Sequence, residues 1–308
     1  MRTFALLLLA LLIAAWPAHA ADPPTTEDIV VERPGPRLWR IDGPQGAVFV
    51  LGVMQPLPKR FTWKTAEIDE LITRTNRVLI SNDTVSVGIG TLIAQRKAFR
   101  NPDDAKVSAL LDPAAKARFD AARRAHGFDD DDLEGWRPYV AGLFLLDKGM
   151  DAAGLSRNLD PQAVTLKKVR KRKIPITTVS RIESKPIIKA LAAMPAGADA
   201  PCLVAELDAL DAMPVMRARA QAWARGDVEE LRMLGERDDG ASCVSSLTEG
   251  GVPAAQLRET LITDWTRALS TARSQNGTTL AIVQIGALIA PDGILARLRA
   301  QGVQIDGP

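Results

Sequence analysis

Two apolar runs near opposite ends of the chain, Ala47-Val48-Phe49-Val50-Leu51-Gly52 and Thr279-Leu280-Ala281-Ile282-Val283-Gln284-Ile285, constrain the fold more than any other feature. Each is short, nearly continuous in apolar residues and rich in β-branched side chains, which is the pattern of a strand buried on both faces. Strands of that kind belong to α/β sheets with helices on either side. Each run ends at a glycine, in Gly52-Val53-Met54-Gln55 and in Gly286-Ala287-Leu288-Ile289. The C-terminal end of a central strand is where open α/β sheets place their binding groups.

The first run follows a shorter alternating segment, Arg37 to Asp42, across the turn Gly43-Pro44-Gln45-Gly46. Helical periodicity from Thr65 to Asn76 through Ala66, Ile68, Leu71 and Ile72, then a strand over Arg77 to Ser81, completes a strand-helix-strand unit. Helices are predicted over Pro113 to His126, with Asp112 as cap, over Trp136 to Gly149, and over Pro161 to Lys173, with Asp160 as cap. A strand follows at Ile174 to Val179. From Ile187 to Leu234 the pattern is helical, interrupted between Pro195 and Pro201 and bent at Pro214. A long helix over Pro253 to Ser274 leads through Asn276-Gly277 into the second apolar run. The helix Asp292 to Ala300 and a strand at Val303 to Ile305 finish the chain. The expected fold is α/β: a central mixed sheet built from strand-helix-strand units at both ends, with a large helical block between.

The first twenty residues read as a secretory signal. Arg2 gives the positive start, Phe4 to Trp16 the apolar core, and Ala18-His19-Ala20 the small-x-small cleavage site. That core is shorter than the roughly 20 apolar residues a spanning helix needs, so no transmembrane anchor is expected once the signal is cleaved after Ala20. The expected organisation is signal 1–20, extended Pro-rich leader 21–36 and one domain over 37–308, in a periplasmic or secreted protein. Without Arg2 the 39 basic residues become 38 against 37 acidic ones, a net of +1 that offers no general footprint for nucleic acid.

Cys202 and Cys243 are the only cysteines. In an oxidising compartment a pair reads as one disulfide, closing a loop of about 42 residues and stabilising by roughly 4 kcal/mol in the chain-entropy model. The other reading is a redox or metal pair, against which stand their separation and the lack of a neighbouring histidine.

The pieces Leu38-Trp39-Arg40-Ile41, Phe49-Val50-Leu51-Gly52, Trp136-Arg137-Pro138-Tyr139, Gly154-Leu155 with Asp160, Lys173-Ile174-Pro175-Ile176, Ala222-Trp223-Ala224-Arg225-Gly226-Asp227 and Ile285-Gly286-Ala287-Leu288 occur in an order that resembles the TraB/GumN family, related to the Tiki metalloproteases. The resemblance covers most of the chain after the leader. It implies a metallohydrolase with two Gly-x-x-His motifs. Here Gln55 and Ile289 stand where the resemblance implies the two histidines, and Ser81, in Leu79-Ile80-Ser81-Asn82-Asp83, stands where it implies a glutamate. Thr178-Val179-Ser180 replaces an implied Leu-Glu-Thr, and Asp264-Trp265 falls near an implied Arg-Asn pair.

The chain has two histidines, His19 in the signal and His126 in a polar helical stretch. A catalytic metal needs about three protein ligands and an open position. Gln55 offers one neutral amide oxygen and Ile289 nothing, so the sequence reads as a catalytically inactive pseudoenzyme, with a binding or scaffolding role in the cell envelope. Its partner would be an envelope protein, a peptide or a polysaccharide. Two other readings stand beside it. One is a metal-dependent, peptidase-like hydrolase with a rebuilt oxygen site for a hard cation, drawn from Asp83, Gln55, Asp292 and Asp264. The other, implied by the family's occurrence among exopolysaccharide genes, is an accessory protein of exopolysaccharide biosynthesis.

The remaining motifs read as ordinary structure. Asp129 to Asp132 lacks the alternation and glycine of a calcium loop and reads as a solvated turn. Lys167 to Lys173 reads as a solvated helix C-terminus with the option of an acidic partner. Trp39, Trp136 and Trp223 read as core. There is no Gly-x-Ser-x-Gly elbow, and Gly88-Ile89-Gly90 lacks the rest of a phosphate-binding fingerprint, so no cofactor is expected.

Overall fold

The apolar run near the start of the chain becomes strand β2, Gly46–Val53, and the run near the end becomes β7, Gly277–Gln284; the two lie side by side in the computed structural model. The structure describes residues 35–60, 62–82, 96–181, 184–235 and 254–308. The signal and most of the leader, Asp83, Gly88 to Gly90 and Cys243 lie outside the described residues.

Six strands form one mixed sheet. Besides β2 and β7 these are β1 (Leu38–Asp42), β4 (Thr75–Asn82), β6 (Ile176–Arg181) and β8 (Ile305–Asp306), in the order β6-β4-β7-β2-β1-β8. The four strands β6, β4, β7 and β2 are parallel; β1 and β8 are antiparallel additions at one edge. A separate two-residue ladder joins β3 (Leu57–Pro58) to β5 (Leu155–Ser156). The α/β class with a mixed sheet is therefore what the chain adopts.

Alternation along the strands sorts their side chains onto two faces. Leu51, Val53, Val78, Ile80, Leu280 and Ile282 pack against α1 (Ala66–Arg74) and α4 (Pro161–Lys171) through Ile68, Leu71, Ile72, Leu166 and Val169. Val48, Val50, Leu79, Ala281 and Val283 face the other way, onto Ile262, Trp265 and Leu269 of α9 (Ala254–Arg273) and onto Leu295 and Leu298 of α11 (Ile294–Ala300). The central strands are thus covered on both sides, which is why they read as continuous apolar runs.

Between β4 and β7 lies the helical block: α2 (Pro113–Ala125), α3 (Pro138–Ala152), α5 (Ser184–Ala193), α6 (Ala200–Asp211), α7 (Met213–Arg225) and α8 (Val228–Met233). Asp112 and Asp160 cap α2 and α4 as expected, accepting from Ala115 N–H and Gln162 N–H. Pro214 does not bend a continuous helix. It stands in the first turn of α7 after a break at Ala212, a position where its missing N–H costs no hydrogen bond. Helices α3 and α6 pack closely because Gly142 of α3 faces α6: a β-carbon there would lie 2.9 Å from Glu206 Cβ. Arg137, just before α3, is buried against Asp199, just before α6, at 3.6 Å. Asp199 also accepts from Tyr139 N–H, and the Arg137 guanidinium donates to the carbonyls of Ala98 and Met194. The Trp-Arg-Pro-Tyr segment is the hub that ties the block together.

Candidate functional site

Because β2, β4, β6 and β7 are parallel, their C-terminal ends share one edge of the sheet. The register sets Val53 beside Gln284, Ile80 beside Ile282, Ser81 beside Ser180 and Asn82 beside Arg181. This edge brings together the two glycine motifs that the sequence separates by most of its length, together with Ser81.

Gly52 is the last but one residue of β2. Its carbonyl accepts a 2.9 Å hydrogen bond from Trp223 Nε1 in the last turn of α7. Trp223 is itself buried, with Trp63 edge-on to it at 5.8 Å between ring centroids. Gln55 follows β2, half-buried, and joins Pro56 through a cis peptide. Ser81 is buried near the end of β4, and its carbonyl accepts from Gln162 Nε2 at 3.2 Å. Gly286 and Ile289 belong to a short helical turn, α10 (Ile285–Ile289), which begins directly after β7. Ile289 packs against the α9 side of the core.

Of the three carboxylates that sequence reasoning added to this edge, Asp83 lies outside the described residues and the other two are engaged elsewhere. Asp292 takes two hydrogen bonds from the Arg258 guanidinium, at 2.7 and 2.9 Å, and that guanidinium holds its carboxyl below the usual carboxylate range. Asp264, on α9, pairs with Arg267 one turn on, at 3.0 Å. Among the described residues no three His, Cys, Asp or Glu side chains converge as a metal would require. What the edge offers at the positions in question is an amide at Gln55, a hydroxyl at Ser81 and hydrocarbon at Ile289. That donor set does not fit the two-histidine metal the resemblance implies.

Trp223 and Gln162 are the residues at this edge that sequence reasoning did not assign to it. Trp223 stood out only as part of a fold-bearing motif. Nothing in the helical pattern of Pro161 to Lys173 marks Gln162 as reaching a strand end. Two surface grooves are bounded by other residues. One of about 420 Å³ is bounded by Arg118, His126, Gly149, Leu207, Asp211 and Met213, and one of about 390 Å³ by Arg37, Arg225, Gly226, Glu229 and Pro308. Arg118 is already held by Asp208 and Asp211, each at 2.7 Å, so the first groove presents no free guanidinium to an anion.

Cys202 is buried on α6. The basic run occupies the end of α4, where Lys168 pairs with Asp69 of α1 at 2.5 Å.

Comparison with curated proteins finds no match, and comparison with solved structures finds none. A family model does match, that of the TraB/PrgY/gumN family, over residues 37–306. That span takes in β1, both glycine motifs, the helical block and β8, so the strand edge described above lies wholly within the matched region, and the chain belongs to the TraB/PrgY/gumN family.

Proposed function

We propose that this chain is a member of the family in which metallohydrolase chemistry has been lost, and that it acts as a binding or scaffolding protein of the cell envelope. The observation that carries the reading is the donor chemistry at the shared strand edge: Gln55, Ser81 and Ile289, with Asp264 and Asp292 each engaged by an arginine. An amide and a hydroxyl are weak ligands for a catalytic transition metal, and losing the ligands themselves costs more than the roughly 10 to 100-fold lost with the groups that merely orient them. The same engagement of Asp264 and Asp292 weighs against the rebuilt hard-cation site, because a carboxylate neutralised by a guanidinium gives less to a cation.

Export rests on the amino-terminal signal pattern, and the pairing of Cys202 with Cys243 follows from the oxidising compartment that export implies. No described helix is long and apolar enough to cross a membrane. The strand edge, retaining its two glycine motifs, would serve as the surface that meets a protein, peptide or polysaccharide of the envelope.

The test is elemental analysis of the protein purified from cells expressing the whole gene, with titration against Zn, Mn, Co, Mg and Ca. A folded sample that binds none of them supports the reading. A stoichiometric ion, with turnover that disappears in Asp83→Ala, would sink it and restore the hydrolase.

A further inference from the structure

The end of the sheet opposite the glycine motifs carries a dense group of cations without ion pairs among the described residues. Helices α1 and α4 lie on the same face, and each runs directly into a parallel strand, α1 into β4 at Thr75 and α4 into β6 at Ile176. Their C-termini therefore emerge together at the edge where the parallel strands begin. Five cations crowd the end of α4: Lys167, Arg170, Lys171, Arg172 and Lys173, all exposed, with no ion pair to any of them among the described residues. Arg74 joins them from the last turn of α1, its guanidinium 5.2 Å from the centre of the Phe49 ring rather than on a carboxylate. The acids of α1, Glu67, Asp69 and Glu70, answer this charge only in part: Asp69 bonds Lys168 and attracts Arg172 through space, which leaves the cations in excess.

One or two cations suffice to complement a helix C-terminus. Five at one helix end repel one another, with Arg74 adding charge to the same edge of the sheet, and that repulsion is relieved when an anionic partner covers them. The shape of the region selects the partner. It is a rim of helix ends and strand starts, and neither surface groove is lined by any of these residues. A rim suits a flat anionic surface better than a single polymer strand. Among the described residues no exposed aromatic ring stands among the cations to stack on a base or a sugar: the exposed large hydrophobics are Phe144, Val164, Val215 and Met233, and of these Val164 alone is on α4, about one turn before Lys167 and about two before Lys171.

We propose that this rim, formed by Lys167, Arg170, Lys171, Arg172 and Lys173 with Arg74, docks the protein peripherally on an anionic lipid surface, through headgroup phosphates and without insertion. Binding is electrostatic, with each basic residue near such a surface contributing independently, and it fades as salt screens it. The proposal does not depend on the chemistry of the opposite edge.

The experiment is co-sedimentation of the purified protein with vesicles of phosphatidylcholine and phosphatidylglycerol in equal parts, and with phosphatidylcholine alone. The expected result is binding to the anionic vesicles at low salt, none to the neutral ones, and loss of binding at about 0.5 M salt. The triple variant Lys167→Gln, Lys171→Gln, Arg172→Gln should bind roughly a hundredfold more weakly. A control with the same charge change elsewhere, Lys97→Gln, Lys106→Gln, Lys189→Gln, should lose several-fold less. Equal binding to neutral vesicles, or equal losses in the two variants with circular dichroism unchanged, overturns the proposal. So does binding of an acidic polysaccharide such as alginate, sensitive to the triple variant, in protein that ignores the vesicles; the rim would then belong to a polymer.

Discussion

Ile285 Cδ1 fills the space that a β-carbon on residue 52 would need, and the Trp39 ring, 3.0 Å from the same point, closes its other side. The glycine of the first motif is thus fixed by the residue that opens the second. Whatever chemistry the edge performs, Gly52 has a steric reason to be glycine.

Gly52→Ala is expected to destabilise the protein by about 1 to 3 kcal/mol through overpacking. Ile285→Val, which removes the offending methyl, costs about 0.5 to 1.5 kcal/mol alone and should recover part of the loss when combined. Urea denaturation of the two single variants and the double variant measures the coupling. Strictly additive penalties would show that the two motifs do not constrain each other.

The buried Arg137 and Asp199 pair should be far more sensitive. Asp199→Ala leaves a guanidinium without its counter-charge and Tyr139 N–H without its acceptor, an expected loss of about 3 to 5 kcal/mol. Asp199→Asn keeps an acceptor for Tyr139 and should cost less. A loss under 1 kcal/mol for the alanine variant, in chemical denaturation, would mean that the block does not hang on this pair.

Tyr139 is the only tyrosine in the chain, and burial, aided by the charge of Glu206, pushes its phenol up from 10.0 to about 12. The ionised form is the one the fold disfavours. Between these values the unfolded chain has released a proton that the folded chain keeps, so stability falls as pH rises from 10 toward 12. The loss attributable to this group is about 2 to 3 kcal/mol. Absorbance near 295 nm should report late ionisation in the folded protein, and Tyr139→Phe should flatten the alkaline limb by that amount. Ionisation near 10 in folded protein would contradict it.

At the acid end the sign reverses. Asp292 is held below its ordinary value of 3.8 by Arg258, so its contribution is complete above that value and disappears as pH falls through the lowered one. Both partners are partly exposed, which limits the effect to less than about 1 kcal/mol. Arg258→Gln should leave a shallower loss of stability with falling pH below 4 than the parent shows, measured by the midpoint of thermal unfolding. An identical slope would show the pair contributes nothing.

Much of the sheet was legible because its central strands are covered on both faces and so spell out unbroken apolar runs; β2, β4 and β7 fall within a residue or two of where the sequence puts them. The caps Asp112 and Asp160 were legible because a side-chain oxygen before proline and a helical run is local chemistry. What escaped was non-local. The ladder of β3 and β5 is two residues long and leaves no period to read. The strand order is not a property of any segment. Ile285 reads as the last residue of the strand, yet it opens a helical turn with Gly286 and Ile289, because β7 ends at Gln284 and the core draws Ile285 and Leu288 inward. The grip of Gln162 on Ser81 and of Trp223 on Gly52 depends on elements far apart in sequence, so neither leaves a trace in the spacing of residues.

The position of β7 between β4 and β2 gives the molecule an order of events. A growing chain releases β2 and β4 early, but neither can take its place beside the other, because the strand that belongs between them starts only at Gly277, after the whole helical block. Until then two apolar strands wait with open edges, exposed to whatever chain comes near. Gly46 cannot find Gly277, nor Trp39 the carbonyl of Pro308, before those distant residues have been made. A shortened product that stops before Gly277 would therefore lack the middle of its sheet rather than its margin. Such contacts between distant parts of the chain make for slow folding, and they place the burden of keeping the early strands apart on the machinery that handles the nascent chain.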